Sequence, residues 1–158
     1  FSGIIIISLF RGLALAVSVA GTVEKGNRLY QKHKYADALQ HYDQALAKQP
    51  DSAVINFDSG AAQYKTKEFQ KANGSFERSL TTEDKFLEAK ANYNLGNSKY
   101  MLGLKEENTD LSSAVQLLEG ALNNYKRTQE LTPQDEDVKV NYKIVEEKLK
   151  ELKEKLTV

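Results

Sequence analysis

One spacing constrains this chain more than any other feature: 34 residues. Gly26 recurs as Gly60, Tyr35 as Phe69, Ala38 as Ala72 and Tyr42 as Phe76, each pair 34 positions apart. Four independent pairs at one period specify a repeated unit. At this length, with apolar residues recurring at helical spacing, the unit is a helix–turn–helix hairpin. One hairpin cannot bury its apolar face alone, so copies must stack. The first copy lies in residues 24–50, EKGNRLYQKHKYADALQHYDQALAKQP. Gly26 is the small residue its first helix needs where the second crosses it, and Ala38 is the second helix's side of that crossing. Tyr42 and Ala45 lie four and seven residues beyond Ala38 and share its face. Pro50 ends the hairpin, because it lacks an N–H and turns the preceding residue away from helix.

Taken in order, the first repeat spans about 19–52, with helices expected at 23–32 and 35–48. The second spans 53–86, opened by Asp51 and Ser52 as caps, with helices at 53–66 and 69–81. Gly60 and Ala61 mark its crossing, and Gly74 costs its second helix about 1 kcal/mol relative to Ala. The third repeat opens near Lys85, with Leu95, Gly96 and Tyr100 in its first helix. There the period breaks: Gly96 to Pro133 is 13 residues longer than Gly26 to Pro50. The surplus contains the polar run KEENTD, read as helix-poor. A helix over 111–131 follows, capped by Thr109 or Asp110 and striped by Leu111, Ala114, Val115, Leu118, Ala121, Leu122, Tyr125 and Thr128. Its N-terminal half is expected to project, either for a function or as an insertion that repeat arrays tolerate. A last helix over 135–156 carries Val138, Tyr142, Val145, Leu149, Leu152 and Leu156 in a heptad seam. Its near half should cap the stack. Its far half should overhang, since 22 residues span roughly 33 Å.

From about residue 23 to 133 the chain resembles the tetratricopeptide repeat (TPR) family. The resemblance implies an all-α fold: a TPR helix-turn-helix solenoid of three repeats, the third with an insertion, plus a long C-terminal capping helix. The layout is then an apolar segment at 1–22, the array at 23–133 and the capping helix at 134–158. The family's inward positions fall here on Val23, Asn27, Tyr30 and Gln31, then Val54, Phe57, Ala61, Tyr64 and Lys65, then Lys90, Tyr93, Asn97, Tyr100 and Met101. Of these, Asn27, Tyr30, Phe57, Tyr64, Lys90, Tyr93, Asn97 and Tyr100 are the candidate partner-binding residues. Aromatic rings give apolar area at small entropic cost, and amides can bond both groups of an extended backbone. Family members that bind chaperones hold a C-terminal carboxylate with five Lys, Asn and Arg residues. Asn27 and Lys90 match that set, but Val23, Asp58 and Asn94 replace the rest. Asp58 would repel a carboxylate, so this clamp is not expected.

Elsewhere the composition excludes more than it assigns. Lys plus Arg equals Asp plus Glu at 22 each, so no net field favours nucleic acid or acidic lipid. Cysteine is absent, which removes disulfides and thiolate metal sites. His33 and His41 have no ligand spacing, and His33 falls in a predicted turn. No phosphate loop or nucleophile motif appears, so neither an enzyme nor a cofactor is expected. Residues 1–22, FSGIIIISLFRGLALAVSVAGT, are almost wholly apolar and as long as a bilayer span of about 20 residues. Three readings compete: a secretory signal cut after Ala20, an uncleaved anchor, or a helix buried on the first repeat. Arg11 sits awkwardly in either membrane reading. Export is favoured, which places the protein in the periplasm or anchored at a bacterial cytoplasmic membrane.

AKANYNLGNSKYMLG, followed by YKRTQELTPQDEDVKVNYKIVEEKL, resembles the TPR proteins of bacterial Bat-type aerotolerance operons. That resemblance implies action outside the cytoplasmic membrane beside a von Willebrand factor A domain membrane protein. Two functions therefore stand: a non-enzymatic adaptor holding a partner segment in its concave groove, or a structural unit self-assembling through the heptad helix and the open repeat edge.

Overall fold

The computed structural model describes residues 19–157. Among them are seven helices and no strand: α1 (19–31), α2 (Tyr35–Leu46), α3 (Ala53–Lys65), α4 (Phe69–Ser79), α5 (Lys85–Glu106), α6 (Leu111–Leu131) and α7 (Glu136–Leu156). From α2 onward each helix packs mainly on the next in sequence, the signature of a solenoid. This is the expected TPR-type array of three hairpins and a final helix.

Three glycines set the hairpin crossings. A Cβ on Gly26 would lie 2.6 Å from the Tyr42 ring, one on Gly60 2.8 Å from Phe76, and one on Gly96 2.6 Å from Tyr125. The partner at each crossing is thus the aromatic ring, not Ala38 and its counterparts as the sequence suggested. Ala38, Ala72 and Ala121 lie one turn before each ring and are fully buried. They let the second helix approach closely enough to lay the ring over the glycine.

The first two turns share a second device. His33 (φ 59°) and Lys67 (φ 64°), 34 residues apart, both adopt the left-handed conformation. The N–H of His33 bonds the carbonyl of Tyr30 at 2.9 Å, and that of Lys34 bonds Leu29 at 3.0 Å. Lys67 and Glu68 repeat the pair on Tyr64 and Gln63. This is the Schellman ending, in which glycine is usual. Four helix starts are capped by side chains: Ser52 on Ile55, Asp84 on Phe86 and Leu87, Asp110 on Ser113, and Asp135 on Val138.

The third hairpin differs from expectation. Lys105 and Glu106 continue α5, leaving only 107–110 as a connection. Lys and Glu are good helix formers, so a polar run of them extends a helix once a neighbour shields its other face. The N-terminal half of α6 therefore does not project. Gly103 of α5 packs against Leu118 and the backbone of Ala114. The C-terminal half of α7 does not overhang either. Val145, Leu149 and Leu152 join Ala114, Val115 and Leu118 in one core cluster. Above it, Lys148 and Lys155 pair with Glu107 at 2.9 and 2.6 Å, and Lys153 pairs with Glu119 at 2.6 Å. The insertion and the heptad extension are two parts of one long three-helix block.

At the other end, α1 already includes 19–22, and Val19 is buried against the first hairpin. The first helix thus starts at 19, where the first repeat was expected to begin, and four residues before the helix start expected at 23. The readings placed on residues 1–18 lie outside the described residues. No helix among the described residues is long and apolar enough to cross a membrane.

Candidate partner-binding groove

The first helices of the repeats, α1, α3 and α5, line the concave side, and α7 continues the row. Two hollows run along this face. The first, about 320 Å³, is formed by Asn27, Tyr30 and Gln31 of α1, Tyr42 of α2, Phe57, Asp58 and Ala61 of α3, and Asn94 of α5. The second, about 250 Å³, is formed by Tyr64, Asn97, Tyr100 and Met101 with Tyr125, Asn141, Ile144 and Val145. Six of the eight candidate residues line these two hollows. Lys90 and Tyr93 sit instead in a side depression of about 240 Å³ between α5 and the α6–α7 connection.

Several candidates also hold the scaffold. The Phe57 ring lies 5.8 Å from Phe76, Tyr64 5.3 Å from Phe69, and Tyr93 6.1 Å from Tyr125. The two asparagines are braces. Tyr42 donates its hydroxyl to Asn27 Oδ1 at 2.7 Å, and Tyr125 donates to Asn97 Oδ1 at 2.7 Å. Asn141 donates to the same Asn97 oxygen at 3.2 Å and to the Tyr93 hydroxyl at 2.9 Å. Asn97 therefore does not offer a free amide to a ligand, as its inward position had suggested; only its Nδ2 is left to donate. The second repeat has Ala61 and Phe76 where its neighbours have Asn and Tyr. Amide and hydroxyl are present together or absent together, so the brace was readable from the repeats themselves.

Charge in the first hollow is unbalanced. Asp58 is half-buried, and no hydrogen bond or ion pair holds its carboxylate among the described residues. Burial pushes its carboxyl up to about 6, against a smaller downward pull from Lys90. The Lys90 ammonium sits over the Phe86 ring, 4.1 Å from its centroid. The Tyr30 and Tyr42 hydroxyls are raised by burial first, with Asp58 adding to both. Among the described residues no cluster of His, Cys, Asp and Glu could hold a metal.

The sequence reading treated Asp58 only as an obstacle to carboxylates, and it overlooked α7. Val140 and Ile144 of α7 are 55% and 46% exposed, unusual for large apolar residues, and Asn141 lies between them in the chain. The signal was available: α7 reads as the first helix of a fourth repeat, so its inward positions continue the groove.

Comparison with known proteins agrees with this architecture. Residues 26–67 match the family described as TPR repeat. Stress-induced-phosphoprotein 1 of Caenorhabditis elegans is 30% identical over 63 residues, 40% of this chain. The match spans only 20% of that protein's length. Among solved structures, the first TPR of Spaghetti (RPAP3) bound to the HSP90 peptide SRMEEVD superposes with a TM-score of 0.69 at 21% identity, covering 83% of this chain and 92% of that one. The second TPR domain of human RPAP3, in complex with the HSP70 peptide SGPTIEEVD, gives 0.69 at 15% identity, covering 83% and 97%. At these identities the likeness is one of fold.

Proposed function

We propose that this chain, a TPR repeat protein by its match over residues 26–67 and by its fold, is a scaffold that holds an extended segment of a partner protein on its concave face. One observation carries the reading: a row of hollows walled by aromatic rings and floored by polar groups runs across successive repeats. Similar arrays hold peptides, as the HSP90 and HSP70 complexes above illustrate. The mode differs here. Both of those peptides end in Asp, and Asp58 would oppose such an acidic end in the first hollow.

The adaptor reading is preferred to self-assembly, because the heptad seam from Val138 to Leu152 is occupied within the chain by α6. The reading extends to location and partner. The apolar run in residues 1–22 supports export, to the periplasm or to a cytoplasmic-membrane anchorage. The resemblance to aerotolerance-operon proteins supports a von Willebrand factor A domain membrane protein as the partner. Fusing residues 1–22 to a reporter active only outside the cytoplasm tests export, and an inactive reporter rejects it.

The groove is tested by selecting binders from a displayed random-peptide library on the full chain, then measuring their affinity for variants. Phe57→Ala and Tyr64→Ala should each weaken binding about tenfold or more, while Lys71→Ala, on the exposed face of α4, leaves it unchanged. Equal binding by all three, with helicity intact, removes the concave face as the site.

A further inference from the structure

The first hollow holds one half-buried carboxylate and no cation among its lining residues. A charge taken out of water without a partner is costly, and folded chains normally pair it or replace it. Asp58 has neither remedy. Lys90 pulls on the carboxylate without forming an ion pair with it, and its ammonium sits over the Phe86 ring. The hollow also offers an uncharged acceptor. Asn94 donates its Nδ2 to the carbonyl of Lys90 at 2.9 Å, which leaves its Oδ1 free to accept. The Tyr30 and Phe57 rings wall the hollow, and ring faces attract cations.

We propose that this hollow is a pocket for one basic side chain, Lys or Arg, of the bound partner segment, with Asp58 as counter-ion and Tyr30 and Phe57 as walls. The proposal rests on the reading of the concave face as the partner site. It assigns that site a charge preference opposite to a carboxylate clamp. A guanidinium or ammonium would gain a charge-assisted hydrogen bond to Asp58 and ring contact on its flanks. The groups facing Asp58 are Tyr30 from α1, Tyr42 from α2 and Lys90 from α5. Neither hydroxyl ionises near neutral pH, since burial raises both. Asp58 is the carboxylate among these groups, and it changes charge in the acid range. Its carboxyl stands at about 6 before a ligand arrives, so binding should weaken as pH falls below that value.

Library selection on the full chain at neutral pH gives the test, repeated on Asp58→Asn. The wild type should enrich peptides with Lys or Arg at one fixed position. Replacing that residue by Gln, or using Asp58→Asn, should each lower affinity about tenfold, and the two changes together should cost no more than either alone. Asp58→Asn removes an unpaired, half-buried charge, so its melting temperature should not fall and lost binding is not lost fold. Peptides selected without a basic position, or bound equally by Asp58→Asn, overturn the pocket while leaving the groove intact. A library that yields no binder overturns the groove reading and the pocket with it.

Discussion

Asn97 is the residue on which the two roles of the concave face separate most cleanly. As a brace, its Oδ1 accepts from Tyr125 at 2.7 Å and from Asn141 at 3.2 Å. Asn97→Ala strands the hydroxyl of Tyr125, a ring only 1% exposed. Leaving a buried donor unmade costs about 1–3 kcal/mol, so about 2 kcal/mol of stability should be lost. For a chain of this size that lowers the melting temperature by roughly 4–8 °C. Tyr125→Phe should cost about 1 kcal/mol, because Asn97 keeps Asn141 as a donor. The double variant recreates the Ala and Phe that the second repeat carries at Ala61 and Phe76. Its stranded hydroxyl is gone, and Asn141 still bonds Tyr93. It should therefore cost about 1–1.5 kcal/mol rather than the sum of about 3, a coupling of roughly 1.5. Urea titration of the four proteins, with unchanged m-values, reads this directly. Additive losses would refute the brace. An Asn97→Ala variant of undiminished stability that loses peptide affinity would return Asn97 to the ligand.

Three further outcomes are expected. Gly60→Leu forces a side chain into the buried Phe76 ring and should cost about 2 kcal/mol or more; an unchanged melting temperature would refute the crossing register. Asp58 is raised from 3.8 to about 6 on folding, so the folded state binds more protons between those values. The stability this contributes is full below about 4 and lost as pH rises through about 6. Asp58→Asn should accordingly gain on wild type as pH rises over that window, by up to about 3 kcal/mol at neutral pH, in parallel thermal melts. Glu107→Gln removes the negative charge shared by Lys148 and Lys155, and should speed amide exchange in the C-terminal half of α7 but not in α3. High salt should narrow the difference.

Local chemistry made the hairpins legible. Gly26, Gly60 and Gly96, the alanines and the rings one turn beyond them carry the register, and the caps at Ser52 and Asp110 mark helix starts. What escaped depended on neighbours distant in sequence. KEENTD carries no apolar stripe, so nothing local shows that its first residues continue α5. The seam from Val138 to Leu152 has the same spacing whether its partner is another chain or α6. Inward placement of Asn97 says nothing of Tyr125, 28 residues on, which occupies its oxygen. Only comparison of the repeats with one another, Asn with Tyr twice and Ala with Phe once, carries that information.

The long third hairpin also constrains what can stack on it. Helices α5 and α6 have 22 and 21 residues against 13 and 11 in α3 and α4, so each stands roughly 13–15 Å taller. A hairpin of ordinary height stacked on α6 would cover its stripe from Leu122 to Thr128 and leave open the α7-facing side of the cluster around Val115 and Leu118. Only a helix as tall as α7 closes the whole face. Repeat height is therefore coupled between neighbours: once one unit grows, the helix stacked on it must match it.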